Sequence, residues 1–90
     1  MFEIYLSNIS LKALKRLDKG LVEQIRTLLL NLETSPLPIK GYDVRKIRGA
    51  EDIYRVRISE YRSVYKIEWE MREINVIKIT KRDENTYKRL

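Results

Sequence analysis

The stretch YRVRISEYRSVYK, residues 54–66, says Tyr-Arg twice within nine residues, and its side chains alternate with a period of two. Read as a strand, Tyr54, Val56 and Ile58 share one face while Arg55, Arg57 and Ser59 share the other. Val, Ile and Tyr suit a pleated surface. The polar SEY at residues 59–61 is short enough for a hairpin connection, so the stretch predicts two antiparallel strands with one apolar and one basic face.

The same period runs through DVRKI (residues 43–47), SVYKIEWE (residues 63–70) and INVIKIT (residues 74–80), so four strands are expected, joined around GAED, SEY and EMRE as an antiparallel meander. Upstream, FEIYL alternates and places Phe2, Ile4 and Leu6 on one face of a first strand. Ser7 is placed to cap a helix starting near Asn8, with Leu11, Leu14 and Leu17 inward and Lys12, Lys15 and Arg16 outward. Lys19-Gly20 reads as its stop. A stronger stripe of Leu21, Ile25, Leu28, Leu29 and Leu32 then runs to TSPLP, residues 34–38, whose prolines cannot continue a helix. Two short-linked helices predict an antiparallel hairpin.

The expected fold is therefore α+β, a single domain over residues 1–90: an N-terminal strand, an antiparallel helix hairpin, then a four-stranded antiparallel meander. Helices on one face leave the other open to water. Tyr54, Tyr65 and Trp69 are expected in core or cross-strand packing. In the tail DENTYKRL, either Asp83 caps a single helical turn or the segment frays.

Composition narrows the function classes. The chain is 43% hydrophobic and 36% charged with the two interspersed, which fits one folded domain with a single core. No apolar run approaches the roughly 20 residues that span a bilayer. The opening MFEIYLSNIS also lacks the basic start and long apolar middle of a signal peptide, so a cytoplasmic protein with no membrane partner is expected. The absence of cysteine and histidine removes disulfides, thiolate nucleophiles, the usual zinc sites and the commonest general base; neither metal nor cofactor is expected. Of the net charge of +6, Lys and Arg outnumber Asp and Glu by only 6 to 5 in residues 1–43 but by 13 to 8 in residues 44–90. The surplus sits in the strand-rich half, where a polyanion is the natural partner because lysine and arginine displace counterions from a phosphate backbone. A solvated face that keeps the protein soluble accounts for charge alone equally well.

Geometry sharpens the choice. Arg55 and Arg57 have stems about 6.6 Å apart, close to the spacing of successive phosphates along one nucleic-acid strand. Arg62 and Lys66 join them by parity, and a tight turn sets Arg62 opposite the Arg57 end of its neighbour. Like charges facing across a ladder destabilise it, so either acids such as Glu68 neutralise them or an anion is to be bound. Lys46 and Arg48 in VRKIRG, with Lys81, Arg82 and Tyr87 in KITKRDENTY, complete a basic bowl with a tyrosine at its rim, suited to a bent single strand with a base stacked on the ring.

VRKIRGAEDIYRVRISEYRSVYKI (residues 44–67), followed by ITKRDENTY (residues 79–87), resembles the RelE/ParE toxin superfamily on its RelE side, in the archaeal type. The likeness lies in a basic, glycine-terminated strand, Tyr-Arg-x-Arg, a turn, Tyr-Arg-x-x-Tyr, and a late Lys-Arg with a tyrosine about one turn downstream. It implies a translation-dependent endoribonuclease that cuts messenger RNA in the ribosomal decoding site, silenced by a cognate antitoxin in a hetero-oligomeric complex. By the same resemblance Arg55, Arg57, Arg62, Arg82 and Tyr87 fall on catalytic positions, while Lys46, Arg48, Lys66 and Lys81 are expected to contact RNA on the charge and parity reading above. Such a site cleaves by helping the 2′-hydroxyl attack its own phosphate, with arginines stabilising the extra charge. Arginine, with a pKa above about 12, is a poor proton donor, which leaves Lys46, Lys81 or ribosomal RNA as general acid. Related toxins carry lysine at one or both of the paired positions, whereas Arg55 and Arg57 are both arginine here. Glu60 also replaces a small residue in the turn, where it can salt-bridge Arg62. The alternative on the same fold is a non-enzymatic binder: a ParE-like gyrase inhibitor or an RNA-binding module.

Overall fold

Residues 1–81 are described by the structure, a computed structural model. Strand β1 (Glu3–Leu6) leads into helices α1 (Asn8–Lys15) and α2 (Lys19–Thr34), and strands β2 (Asp43–Lys46), β3 (Ile53–Ile58), β4 (Tyr61–Glu68) and β5 (Glu73–Lys81) follow. All five strands lie in one sheet of order β1-β5-β4-β3-β2. The meander β2 to β5 is antiparallel throughout, and the two helices carry the chain across so that β1 adds to β5 in parallel. The α+β expectation and its order of elements hold.

One face of the sheet is dry. Ile25, Leu28 and Leu32 recur at helical spacing on α2 and bury with Val56, Ile58, Tyr65, Ile67, Ile74, Val76 and Ile79 from alternate strand positions. Phe2 closes the end of this core, and Trp69, just past β4, sets its ring edge-on to Phe2 at 5.7 Å and donates from Nε1 to Asp52 Oδ1 at 3.0 Å. Trp69 nevertheless stays 46% exposed, so the expected core position is a rim position. Tyr54 and Tyr65 do pair across the strands, with ring centroids 6.1 Å apart.

Two helix assignments change. Lys19-Gly20 does not stop the first helix: α1 already ends at Lys15 with Arg16 as its cap, and Asp18 caps α2 by accepting from Leu21 N at 2.9 Å, which puts Lys19 and Gly20 in the first turn of α2. A strong N-cap three residues upstream of an apolar stripe outweighs the glycine. The inward stripe of α1 is also turned by one position, so that Ser10, Ala13, Leu14 and Leu17 face inward and Leu11 is 42% exposed.

Ser10 is there because β5 needs it. Val64 of β4 faces Lys78 while Tyr65 faces Val76, so Ile77 is an extra residue, a β-bulge. Its neighbourhood turns two carbonyls toward α1, where Ser10 Oγ donates to Val76 O at 3.1 Å and Ser7 Oγ donates to Ile77 O at 2.6 Å. Ser7 Oγ also accepts from Ser10 N at 3.0 Å, the cap read from the sequence. Asp83 and the end of the chain lie outside the described residues.

Candidate nucleic-acid interface

The face away from the helices is organised by register. One cross-strand row runs Asp43, Arg57, Arg62, Thr80, and the next runs Arg45, Arg55, Val64, Lys78. Rows two residues apart stand about 6.6 Å from each other. Four guanidinium groups thus share the region around β2, β3 and β4 with one carboxylate.

Asp43 is that carboxylate. Its Oδ2 lies 3.7 Å from Arg57 Nη1 and its Oδ1 lies 3.4 Å from Arg45 Nε. Arg62 has no ion pair among the described residues, and neither Arg57 Nε nor Arg62 Nε, both buried, has a hydrogen-bond partner among them. Burial, with Arg62, Arg57 and Arg45 adding in the same direction, pulls the Arg55 guanidinium below its ordinary value, and Asp43 opposes the shift. Buried donors without acceptors and cations packed against cations form a surface that suits an anionic ligand. A cleft of about 340 Å³ lined by Gln24, Thr27, Tyr42, Arg57 and Ser59, among others, opens beside the Arg57 end of the row.

The opposite end of the same face is acidic. Glu68, Glu73 and Glu3 form a row of their own, and Lys66 pairs with Glu68 at 3.2 Å. A polyanion is therefore drawn to one half of the sheet and repelled from the other.

Of the residues picked out from the sequence, Arg55, Arg57 and Arg62 come together on the open face, with Lys66 on the same side but drawn toward the acidic row. The neutralising acid for Arg57 is Asp43 rather than Glu68, and Glu60 makes no salt bridge to Arg62 among the described residues. Lys46 faces Tyr54, and Lys81 faces Tyr61, so by register both belong to the helix side of the sheet. Arg48 lies in the exposed β2–β3 loop with Gly49, whose φ of +83° suits glycine. Arg82 and Tyr87 lie outside the described residues.

Asp43, Arg45 and Lys78 were not singled out by sequence reasoning. Taking Val44 as inward gives the parity that finds Asp43 and Arg45. Nothing in the spelling marks the bulge that brings Lys78 to the arginine side. Among the described residues, no group of three His, Cys, Asp or Glu side chains could hold a metal ion, and no helix is long and apolar enough to cross a membrane.

The chain is similar to known proteins over nearly its whole length. The family described as "ParE toxin of type II toxin-antitoxin system, parDE" matches residues 4–86. RelE1 of Methanocaldococcus jannaschii, a protein named as a toxin, is 33% identical over 87 residues, which cover 97% of this chain and 96% of that one. The RelE–RelB complex of Pyrococcus horikoshii contains a chain with a TM-score of 0.85 at 28% identity, covering 92% of this chain and 97% of that one. The isolated RelE toxin of Escherichia coli has a TM-score of 0.76 at 27% identity, covering 99% and 95%.

Proposed function

The chain belongs to the ParE/RelE toxin family of type II toxin–antitoxin systems, and from that premise we propose that it is a ribosome-dependent endoribonuclease that cuts messenger RNA in the decoding site and so inhibits translation. The observation that carries this reading is the facing pair Arg57 and Arg62, each with a buried Nε that has no acceptor among the described residues, in a field of two further arginines.

In this reading the RNA backbone lies across the basic half of the open face, with the scissile phosphate near Arg57 and Arg62. Their fixed forks match phosphate oxygens and grip more tightly as the pentacoordinate transition state gains charge. Arg55, Arg45 and Lys78 hold the flanking backbone. The nucleophile is the substrate's own 2′-hydroxyl, whose oxygen attacks phosphorus as the 5′-oxygen leaves, so DNA is spared. Arg82 is assigned to the same phosphate and Tyr87 to holding a base or relaying a proton, both from the family resemblance. The ribosome supplies message bent for in-line attack and its RNA is one candidate for the general acid. The protein works in the cytoplasm and is silenced there by a cognate antitoxin, in a hetero-oligomer like the RelE–RelB complexes among its structural relatives.

A translating extract tests this. Added protein is expected to create new messenger 3′ ends within codons, and Arg62→Ala and Arg82→Ala are each expected to abolish them. Intact message, with DNA supercoiling perturbed instead, would point to gyrase inhibition, the reading favoured by the ParE description of the matching family.

A further inference from the structure

Asp43 is out of place on a surface built for phosphate. It stands on the edge strand β2 in the row of Arg57 and Arg62, and its carboxylate lies within 4 Å of two guanidinium groups, Arg57 Nη1 at 3.7 Å and Arg45 Nε at 3.4 Å. Its negative charge opposes an RNA backbone. As a stabilising ion pair it is a poor one, since the side chains of Arg57 and Asp43 are 33% and 40% exposed and solvent screens the attraction.

What the carboxylate can do is fix direction. Arg57 faces Arg62 with no acceptor between them among the described residues, and two cations in that position swing apart unless one is tethered. Asp43 tethers Arg57 from the side opposite Arg62, engaging Nη1 and leaving the buried Nε free. It also offsets the burial and the neighbouring arginines that act against the Arg55 charge. We propose that Asp43 is a positioning residue for the RNA-cleavage site, a side chain that weakens ground-state binding of the backbone while holding Arg57 where the transition state needs it. The proposal rests on the nuclease reading above.

The two effects have opposite signs in kinetics, which separates them from a structural role. The test measures KM and kcat for messenger cleavage on programmed ribosomes for wild type, Asp43→Asn, Asp43→Ala and Asp43→Glu, with melting temperature and the affinity for a short single-stranded RNA measured in parallel. For Asp43→Asn, about threefold lower KM, tighter RNA binding and at least about tenfold lower kcat are expected, with an unchanged melting temperature. Asp43→Ala is expected to go further in the same directions, and Asp43→Glu to recover part of kcat. A lower KM with unchanged kcat would show a purely repulsive residue and overturn the proposal. So would unchanged kinetics with a lowered melting temperature, the mark of a structural ion pair. A wild type that cuts nothing on translating ribosomes removes the nuclease reading itself, and the proposal with it.

Discussion

Arg57 and Arg62 face each other across the β3–β4 ladder, each burying an Nε that meets no acceptor among the described residues. The arrangement costs the fold something, because like charges directly opposite one another destabilise a sheet and a buried donor without a partner keeps its desolvation penalty. Replacing one guanidinium by a neutral side chain of similar length removes the facing charge and one of the two unpartnered donors, and keeps the packing of the stem. Arg62→Met is therefore expected to raise unfolding stability by about 0.5 to 1 kcal/mol while weakening RNA binding and cutting its salt slope by about 0.7. Urea unfolding and binding titrations at several salt concentrations check the two halves. A destabilised variant with undiminished RNA affinity would refute the anion-site assignment.

The buried hydroxyl of Ser63 poses a similar question inside the core. Ser63 is 2% exposed, faces Val56 and Ile79 on the helix side, and its Oγ has no hydrogen-bond partner among the described residues. Ser63→Ala removes the unsatisfied oxygen and creates a void smaller than a methyl group, so a gain of about 1 kcal/mol is expected. Ser10→Ala should do the reverse, since its hydroxyl donates to Val76 O. That carbonyl keeps a second donor, Ser7 N at 3.0 Å, which limits the expected loss to about 1 kcal/mol. Denaturant midpoints of the two variants, read side by side, should move in opposite directions.

Tyr65 makes stability pH-dependent at the alkaline end. It is buried beneath α2 and donates from its hydroxyl to Pro36 O at 2.8 Å, pinning the loop that leads to β2. Burial, and then the neighbouring Tyr54, push its phenol well above the ordinary 10.0. The folded chain thus keeps a proton that the unfolded chain gives up. This contribution is complete below pH 10.0 and shrinks as the pH rises beyond it, by up to about 1.4 kcal/mol per pH unit. Tyr65→Phe is expected to lose about 1 kcal/mol at neutral pH with its hydrogen bond and to show a shallower alkaline decline. Equal slopes in the two proteins would remove Tyr65 as the cause.

Period and capping made most of this fold legible. The alternation in FEIYL places β1, that from Val44 onward places the four later strands, and Ser7 announces α1. What the sequence hid were features decided by competition between elements. Gly20 reads as a stop until Asp18 is seen to cap the next helix. Leu11 reads as core until Ser10 is seen to be wanted by the carbonyls of the bulge. The site followed the same pattern. Arg55, Arg57 and Arg62 are fixed by parity within one hairpin, which local spacing reports faithfully, whereas Lys46 was grouped with them by closeness in sequence and the register puts it on the other face.

The bulge at Ile77 gives the sharpest test of that register. Alternation continued unbroken from the inward Ile74 and Val76 would make Lys78 inward and Lys81 outward, but the extra residue restores Ile79 to the core, sends Lys78 into the row of Arg45 and Arg55, and leaves Lys81 opposite Tyr61. A lysine that touches the RNA backbone contributes about 0.7 to the salt slope, and one on the other face contributes almost nothing. Lys78→Ala is accordingly expected to weaken single-stranded RNA binding by several-fold at low salt and to flatten its salt dependence, while Lys81→Ala leaves both nearly unchanged. Neither change should disturb folding, since both side chains are exposed at the sheet surface. The reverse ranking would mean that the RNA approaches along the strand end near Lys81, and not across the rows of Arg57 and Arg55.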